Sequence, residues 1–348
     1  MKTNKFADPV AFFTNGVGDH FLNLPTLRAL GEIFEGRLTL VCSDGECKSL
    51  FSDIRLRRMI PTEFRFENST REFLVSQVRN DIKSCDLFVS IVPWSSHSLT
   101  ALLGELAGTM TLGFSPAFEV SLPLDFARHS ADLAFDAVRF FDPHRNWYSF
   151  AQCPVYSKEA NACAHELRKL LPSRAKLLVL HADTSPHKMW STTGFCYIVE
   201  QLLNRYSELW VFVVGWRDLG IAERIGIDRC VSCLKLPLLQ TFSIIARADF
   251  FLGVDSCFLH SADFARIPSV GLFGPTSSEE FGFRLCGNVT IQAEGKMDLI
   301  TKSDVWDAVD AVISDPTQKA IRGTTRSDDL VESEGGVSPL ERKSTEAP

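Results

Sequence analysis

Residues 253–276 read GVDSCFLHSADFARIPSVGLFGPT, an apolar strand that empties into a polar turn, then a helix, then a second strand. The run FFLGV ahead of Asp255 has the unbroken apolar character of a buried strand, and SCFLHSADFA opens a helix at Ser256. The free backbone N–H groups and positive dipole end of such a helix suit an anion, a phosphate above all. PSVGLFGPT is another short apolar strand, ending at Gly274, Pro275 and Thr276. Two loops therefore converge on the carboxyl edge of one sheet, where open α/β sheets take their ligands.

Outward from this stretch the chain alternates strand-like and helix-like pieces. VAFFTN is followed by a helix through LNLPTLRALGEIF, the strand RLTLVC, a loop, the strand CDLFVSIVP, a helix near LTALLGELAG and the strand TMTLGFS. Helical KEANACAHELRKLLP leads to a fresh start at AKLLVLHA, then a helix around GFCYIVEQLLNRY, the strand LWVFVVG, helices at AERI and TFSIIARA, and the opening pair of strands. The fold class is α/β, with one βαβ lobe over residues 1–172 and a second over 173–316. From residue 317 to 348 the sequence turns polar, with too little apolar surface to offset the entropy of ordering it, which predicts a disordered tail.

A length of 348 residues gives each lobe enough chain to bury a core, and a net charge of −7 supplies no basic stripe for a nucleic-acid backbone. No stretch approaches eighteen uninterrupted apolar residues, and the amino terminus lacks a cleavage-type signal. The expectation is a soluble, cytoplasmic chain without an integral membrane segment. The ten cysteines follow no repeating spacing, and the C-x-x-C at Cys230 and Cys233 has no partner pair, so they read as reduced core residues and no metal site is expected.

Three clusters carry candidate chemistry. In TNGVGDHFLNLPTLRAL, Gly16 and Gly18 follow a strand and Asp19 sits where a helix begins. A lone G-x-G is equally a tight turn with Asp19 as a helix cap; alternatively Asp19 faces a cleft as a carboxylate base. In LHADTSPHKMW, Thr184, Ser185 and Lys188 supply hydroxyl and ammonium groups suited to a diphosphate, against the reading of an exposed loop in which His181 and His187 play no part. In the opening stretch, Asp255 and His260 fit a helix cap and a half-buried histidine as readily as a binding site. Three polar loops in one topological place favour the site.

These residues together resemble the bacterial heptosyltransferases of glycosyltransferase family 9, over roughly residues 10–315. G-x-G-D followed by L-x-x-P-x-L-R-A-L resembles the family's opening, and LHADTSPHKMW its H-x-x-T-x-x-x-K-x-W segment. VDSCFLHSADFARIPSVGLFGPT stands where the family shows D-T-G-x-x-H-x-A-A and then P-x-x-x-L-F-G-P-T. The resemblance implies a GT-B architecture of two Rossmann-like lobes facing a cleft, with the acceptor on the first lobe and a nucleotide-sugar donor, ADP-heptose in type, on the second. It implies transfer with inversion and without a metal or other cofactor, and the chain has no Asp-x-Asp. Carried over by motif position, Asp19 is the general base, Thr184, Ser185 and Lys188 hold the diphosphate and donor sugar, and Asp255 meets sugar hydroxyls. The amides of Ser256 and Cys257 take phosphate oxygens, His260 and Thr276 complete the donor site, Leu236 lies against the base, and Asp218 is a candidate for the ribose.

The chain departs from the family in two places: Cys257 replaces a customary glycine, restricting the backbone beside the phosphates, and Gly215-Trp216 replaces a Gly-Gly, placing an aromatic near the nucleoside. For the acceptor, Gly18 and the cluster Arg55, Arg57, Arg58 and Arg65 suit a phosphorylated lipopolysaccharide core, with peripheral membrane contact. A soluble small-molecule acceptor would need no such cluster. A nicotinamide-dependent oxidoreductase is disfavoured because G-x-G-D lacks the third glycine, and a catalytically silent nucleotide-sugar-binding protein stays open.

Overall fold

A computed structural model describes residues 3–67, 70–285 and 287–315. The chain opens with β1 (Pro9–Phe13), α1 (Val17–Ile33) and β2 (Thr39–Ser43). The segment read as a loop then holds β3 (Arg58–Thr62), the hairpin of β4 (Arg65–Glu67) and β5 (Thr70–Glu72), and α2 (Val75–Ile82). The first half closes with β6 (Leu87–Ser90), α3 (His97–Glu105), β7 (Met110–Gly113), β8 (Val120–Ser121) and α4 (Ser130–Phe141). After α5 (Lys158–Lys169) come β9 (Lys176–His181), α6 (Thr192–Arg205), β10 (Leu209–Gly215), α7 (Ile221–Ile225), β11 (Cys230–Leu234) and α8 (Leu238–Ile245). The last run is β12 (Phe250–Val254), α9 (Cys257–Phe264), β13 (Ser269–Phe273), α10 (Ser278–Phe281), β14 (Val289–Gln292) and α11 (Lys302–Ser314). The polar tail predicted for 317–348 lies outside the described residues.

Two six-stranded sheets result, ordered β3-β2-β1-β6-β7-β8 and β11-β10-β9-β12-β13-β14. Every pairing within them is parallel, and the β4–β5 hairpin is antiparallel. In both orders the chain works outward from a central strand and then reverses, so a crevice forms beyond the carboxyl ends of β1 and β9, the switch points. β1 (PVAFF) and β12 (FFLGV) are apolar throughout because helices cover both faces. The strands absent from the sequence reading lack that signature. β3 (RMIPT) and β14 (VTIQ) lie at the outer edges of their sheets and are broken by exposed positions, Pro61 in β3 and Thr290 and Gln292 in β14, and β11 (CVSCL) carries two cysteines and a serine.

The predicted start of the first helix shifts as well. α1 begins at Val17 with Gly16 as its N-cap, so Gly18 and Asp19 lie in its first turn and not before it. Cores do not stop at the boundary between sheets. One apolar cluster runs from the first sheet through α1 into α8 and α9, where Phe21 meets Phe242 at 4.9 Å edge to face and Trp147 meets Phe264 at 6.0 Å. Arg28, buried in α1, donates to the carbonyls of Phe150 and Gln152 and pairs with Asp53 at 2.6 Å. Arg284 reaches back to Asp132 on α4 at 2.7 Å. Beneath the crevice, then, the halves share aromatic packing and the Arg284–Asp132 ion pair, while Arg28 braces the first half. Among the described residues, no helix is long and apolar enough to cross a membrane.

Candidate active site

A cavity of about 710 Å³ lies at the carboxyl edges of both sheets. From the second sheet, the loop after β9 turns through a short 3-10 helix at Pro186–Lys188 and presents Thr184, Ser185 and Lys188 to it. Asp255, directly after β12, ties this loop to its neighbours. Its Oδ2 accepts from Lys188 Nζ at 2.7 Å and from Thr276 Oγ1 at 2.6 Å, while its backbone carbonyl accepts from Thr184 Oγ1 at 3.2 Å. With 6 % of its surface exposed, the carboxylate needs those partners, since an unpaired buried charge costs several kcal/mol, on the order of 3–5 when one partner is removed. Asp255 therefore holds Lys188 and Thr276 in place, and the oxygen expected to meet sugar hydroxyls is already engaged by the protein.

α9 starts at the cavity floor. Ser256 is its N-cap in an extended conformation, yet its side chain caps nothing, and its Oγ is buried without a hydrogen-bond partner among the described residues. The first-turn N–H groups and this hydroxyl together offer donors to an anion. Cys257 is helical and has no positive φ, so replacing the family's glycine strains nothing. Its effect is confined to the volume it fills, a correction to the restricted backbone expected from sequence.

From the first sheet, Gly16, Gly18 and Asp19 enter the same cavity. Gly18 is held there by packing: a Cβ on it would come within 3.2 Å of the His260 ring and 3.8 Å of the Cys257 Cα. The start of α1 thus lies directly against the start of α9. Asp19 receives the Gly16 backbone N–H, a third-residue reach back to the N-cap. Burial pushes its carboxyl up to about 6, opposed by the positive charges of Arg71 and Lys188 and by the Gly16 N–H, and reinforced by the negative charge of Asp255. A carboxylate so placed is ionised near neutrality and basic enough to take a proton. The buried rings of His260 and His181 are held down to about 4 by burial, so both are neutral at that pH; His181 Nδ1 lies 3.1 Å from the Val214 carbonyl.

The edge of the second sheet is completed by residues that sequence reading passed over. Asp183 accepts the backbone N–H groups of Trp216 and Arg217, at 3.0 and 2.7 Å, and pairs with Arg217 Nε at 2.6 Å. Burial opposes ionisation there, but these donors hold its carboxyl below the ordinary range. The loop they clamp turns at Gly215, whose φ of +147° and close approach to Asp183 exclude a side chain. Trp216 then projects at the cavity rim, 69 % exposed. Leu236 also lines the cavity, as expected, after β11.

Two expectations fail. Asp218 is exposed outside the cavity, where its carboxylate accepts the Gly220 N–H ahead of α7. Arg55, Arg57 and Arg58 stand at the amino-terminal end of β3, the opposite edge from the crevice. Arg57 binds Asp8 and the Ala7 carbonyl, Arg58 binds the carbonyls of Asp81 and Ile82, and Arg55 packs beside Gly36. The arginine that lines the cavity instead is Arg71 on β5, whose positive charge favours the ionised form of Asp19. Nothing in STREFLVS marks it in sequence, because the hairpin that carries it shows no apolar periodicity. Asp183, by contrast, adjoins Thr184 within a quoted motif and was within reach. Among the described residues, no group of three or more His, Cys, Asp or Glu side chains is arranged to hold a metal ion.

Comparison with known proteins bears on the fold and the family. The structure of a family 9 glycosyl transferase from Veillonella parvula superposes with a TM-score of 0.74 at 16 % identity, covering 90 % of this chain and 98 % of that one. E. coli ADP-heptose lps heptosyltransferase II gives 0.66 at 16 % identity over 88 % and 98 %, and E. coli heptosyltransferase WaaC with ADP gives 0.63 at 17 % over 87 % and 99 %. At these identities the likeness establishes the fold, which is GT-B. No curated protein matches by sequence. The model of glycosyltransferase family 9 (heptosyltransferase) matches residues 132–309, more than half of the chain, and the protein therefore belongs to that family of glycosyltransferases.

Proposed function

We propose that the protein transfers a sugar from a nucleotide-diphosphate donor, ADP-heptose in type, to an acceptor hydroxyl by one inverting displacement that needs no metal. The observation that carries this reading is the meeting, in one cavity, of a basic carboxylate from the first half with an ammonium, hydroxyls and a helix start from the second. In the proposed step the acceptor oxygen attacks the anomeric carbon as its proton passes to Asp19. The bond from that carbon to the diphosphate breaks, and the nucleoside diphosphate leaves with the electron pair. Lys188 and the first-turn N–H groups of α9 offset the charge that gathers on the leaving group, which is the part a metal plays elsewhere. Thr184, Ser185 and Thr276 are placed to fix phosphate and sugar oxygens, and Trp216 and Leu236 to flank the nucleoside. ADP-heptose as donor is supported by two of the similar structures, one an ADP-heptose heptosyltransferase and one holding ADP.

The test is donor turnover followed by NMR with ADP-heptose in the presence of EDTA. Release of ADP with a product of opposite anomeric configuration, abolished in Asp19→Asn, is expected. A product that retains configuration would refute the single displacement, and turnover restored only by added divalent cations would refute metal independence.

A further inference from the structure

Beyond the donor cavity, a second cavity of about 630 Å³ opens on the first half and shares Gly16, Val17, Arg71 and Leu238 with it. Its wall is made by the β4–β5 hairpin. Side chains alternate across a strand, and the hairpin obeys this: Phe66 and Arg71 are cross-strand partners on the face toward the cavity, whereas Arg65, Glu67, Thr70 and Glu72 line a separate hollow on the other face. Glu72 is fixed there by the Ser98 N–H at 2.7 Å, which pins the hairpin to α3. On the cavity face Phe64 is a set wall, in edge contact with Phe12 and Phe73. Phe66 is not: 72 % of it is exposed, with the Arg71 guanidinium 4.9 Å from its ring centre.

Charge in this cavity is the reverse of what a phosphorylated ligand requires. Its described lining holds two cations, Lys48, which pairs with Asp44 at 2.8 Å, and Arg71, whose guanidinium lies over the Phe66 ring. Glu46 and Glu63 add two further carboxylates. The arginines Arg55, Arg57 and Arg58 are at the far edge of the sheet, as described above.

We infer that the acceptor is a non-phosphorylated glycoside, whose apolar sugar face packs on the ring of Phe66 while its nucleophilic hydroxyl points to Asp19. This rests on the reading of Asp19 as base and of the second half as donor site. The C–H face of a pyranose is apolar and its rim is polar, which matches an exposed aromatic ring bordered by carboxylates that accept from hydroxyls. A phosphate monoester would bring about two negative charges into a lining where three carboxylates, Asp44, Glu46 and Glu63, already outnumber the two cations.

The test uses the full chain with saturating ADP and two matched probes, phenyl β-glucoside and its 6-phosphate, followed by saturation-transfer NMR. The neutral probe is expected to bind at least about tenfold more tightly than the phosphate, a difference near 1.4 kcal/mol. Phe66→Ala should weaken the neutral probe about fivefold or more while leaving ADP affinity and the thermal midpoint unchanged, and Glu46→Lys with Glu63→Lys should reverse the preference. Equal or tighter binding of the phosphate by the wild type overturns the inference. So does indifference of the neutral probe to Phe66→Ala, or its failure to bind while ADP does. Protein that takes the neutral probe through Phe66 but does not bind ADP supports this inference and overturns the donor reading instead.

Discussion

The two halves are built on one strand order, yet their ligand edges are finished in different ways. On the second sheet the loops after β9, β12 and β13 are stitched to one another through Asp255, and the loop after β10 is clamped by Asp183. This edge, the proposed donor side, is therefore organised before anything binds. On the first sheet the edge is a helix start and a hairpin: Asp19 has the Gly16 N–H, and Arg71 and Phe66 stand toward open space. Such a division suits a transferase whose donor carries a fixed charged group and whose acceptor supplies only a hydroxyl. On the proposed reading, binding energy is collected on the stitched side, and the chemistry is done by one carboxylate on the open side.

The strongest way to break this contrast is Asp19→Asn. Asn keeps an oxygen for the Gly16 N–H, so the helix start survives, but it takes no proton. Transfer should fall by about 10²–10⁴-fold while ADP affinity stays within about twofold. The same variant should be more stable than the wild type at pH 8. A carboxyl raised to about 6 from 3.8 favours the folded state while protonated, and this contribution is lost as pH rises through 6, so the buried charge costs at most about 3 kcal/mol above it. Melting curves at pH 8 and pH 5 check the sign: the advantage should shrink at the lower pH, and its absence at pH 8 would show Asp19 to be solvated.

Lys188→Ala probes the stitched side. It strips a buried carboxylate of its cation, so stability should drop by about 3–5 kcal/mol, and ADP should bind on the order of 10-fold to 100-fold more weakly. Adding Asp255→Asn removes the orphaned charge. The double variant should recover much of the stability and none of the affinity, by denaturant melts and calorimetry. Recovery of both would mean that Lys188 serves Asp255 and not the diphosphate.

A smaller effect sharpens the electrostatics of the open side. Below pH 6 kcat/KM should fall about tenfold per unit as Asp19 protonates. Arg71→Gln should move that midpoint upward, by about one unit or less, because the guanidinium is the leading charge that opposes protonation of Asp19. A midpoint that stays put would separate Arg71 from the base.

The same contrast governs what the sequence discloses. The stitched half was readable because its loops follow apolar strands, and Thr184, Asp255 and Thr276 all fall within three residues of a strand end, with Lys188 on the same loop as Thr184. Strand ends are marked by hydrophobic runs, so their loops can be placed in one crevice without coordinates. The open half hides its residues in an insertion between β3 and α2, where β4 and β5 are three residues each and carry no run to register. Arg71 was missed there. Charge density drew attention to Arg55, Arg57 and Arg58 instead, although the residues before a strand belong to the edge of a parallel sheet that faces away from the ligand.

Those three arginines supply the last and smallest effect. Arg57 closes onto Asp8 and the Ala7 carbonyl, and Arg58 caps the carbonyls of Asp81 and Ile82 at the end of α2, so both tie the amino-terminal rim of the sheet together. Arg57 and its partner are each about a third or more exposed, and pairs of that kind contribute about 0–1 kcal/mol. Arg57→Gln combined with Arg58→Gln should therefore lower the thermal midpoint by a few degrees at most and leave the acceptor KM within about twofold of the wild type. If KM rises tenfold while the midpoint holds, the acceptor reaches the far rim of the first sheet, and the open edge at Phe66 and Arg71 is then not where it binds.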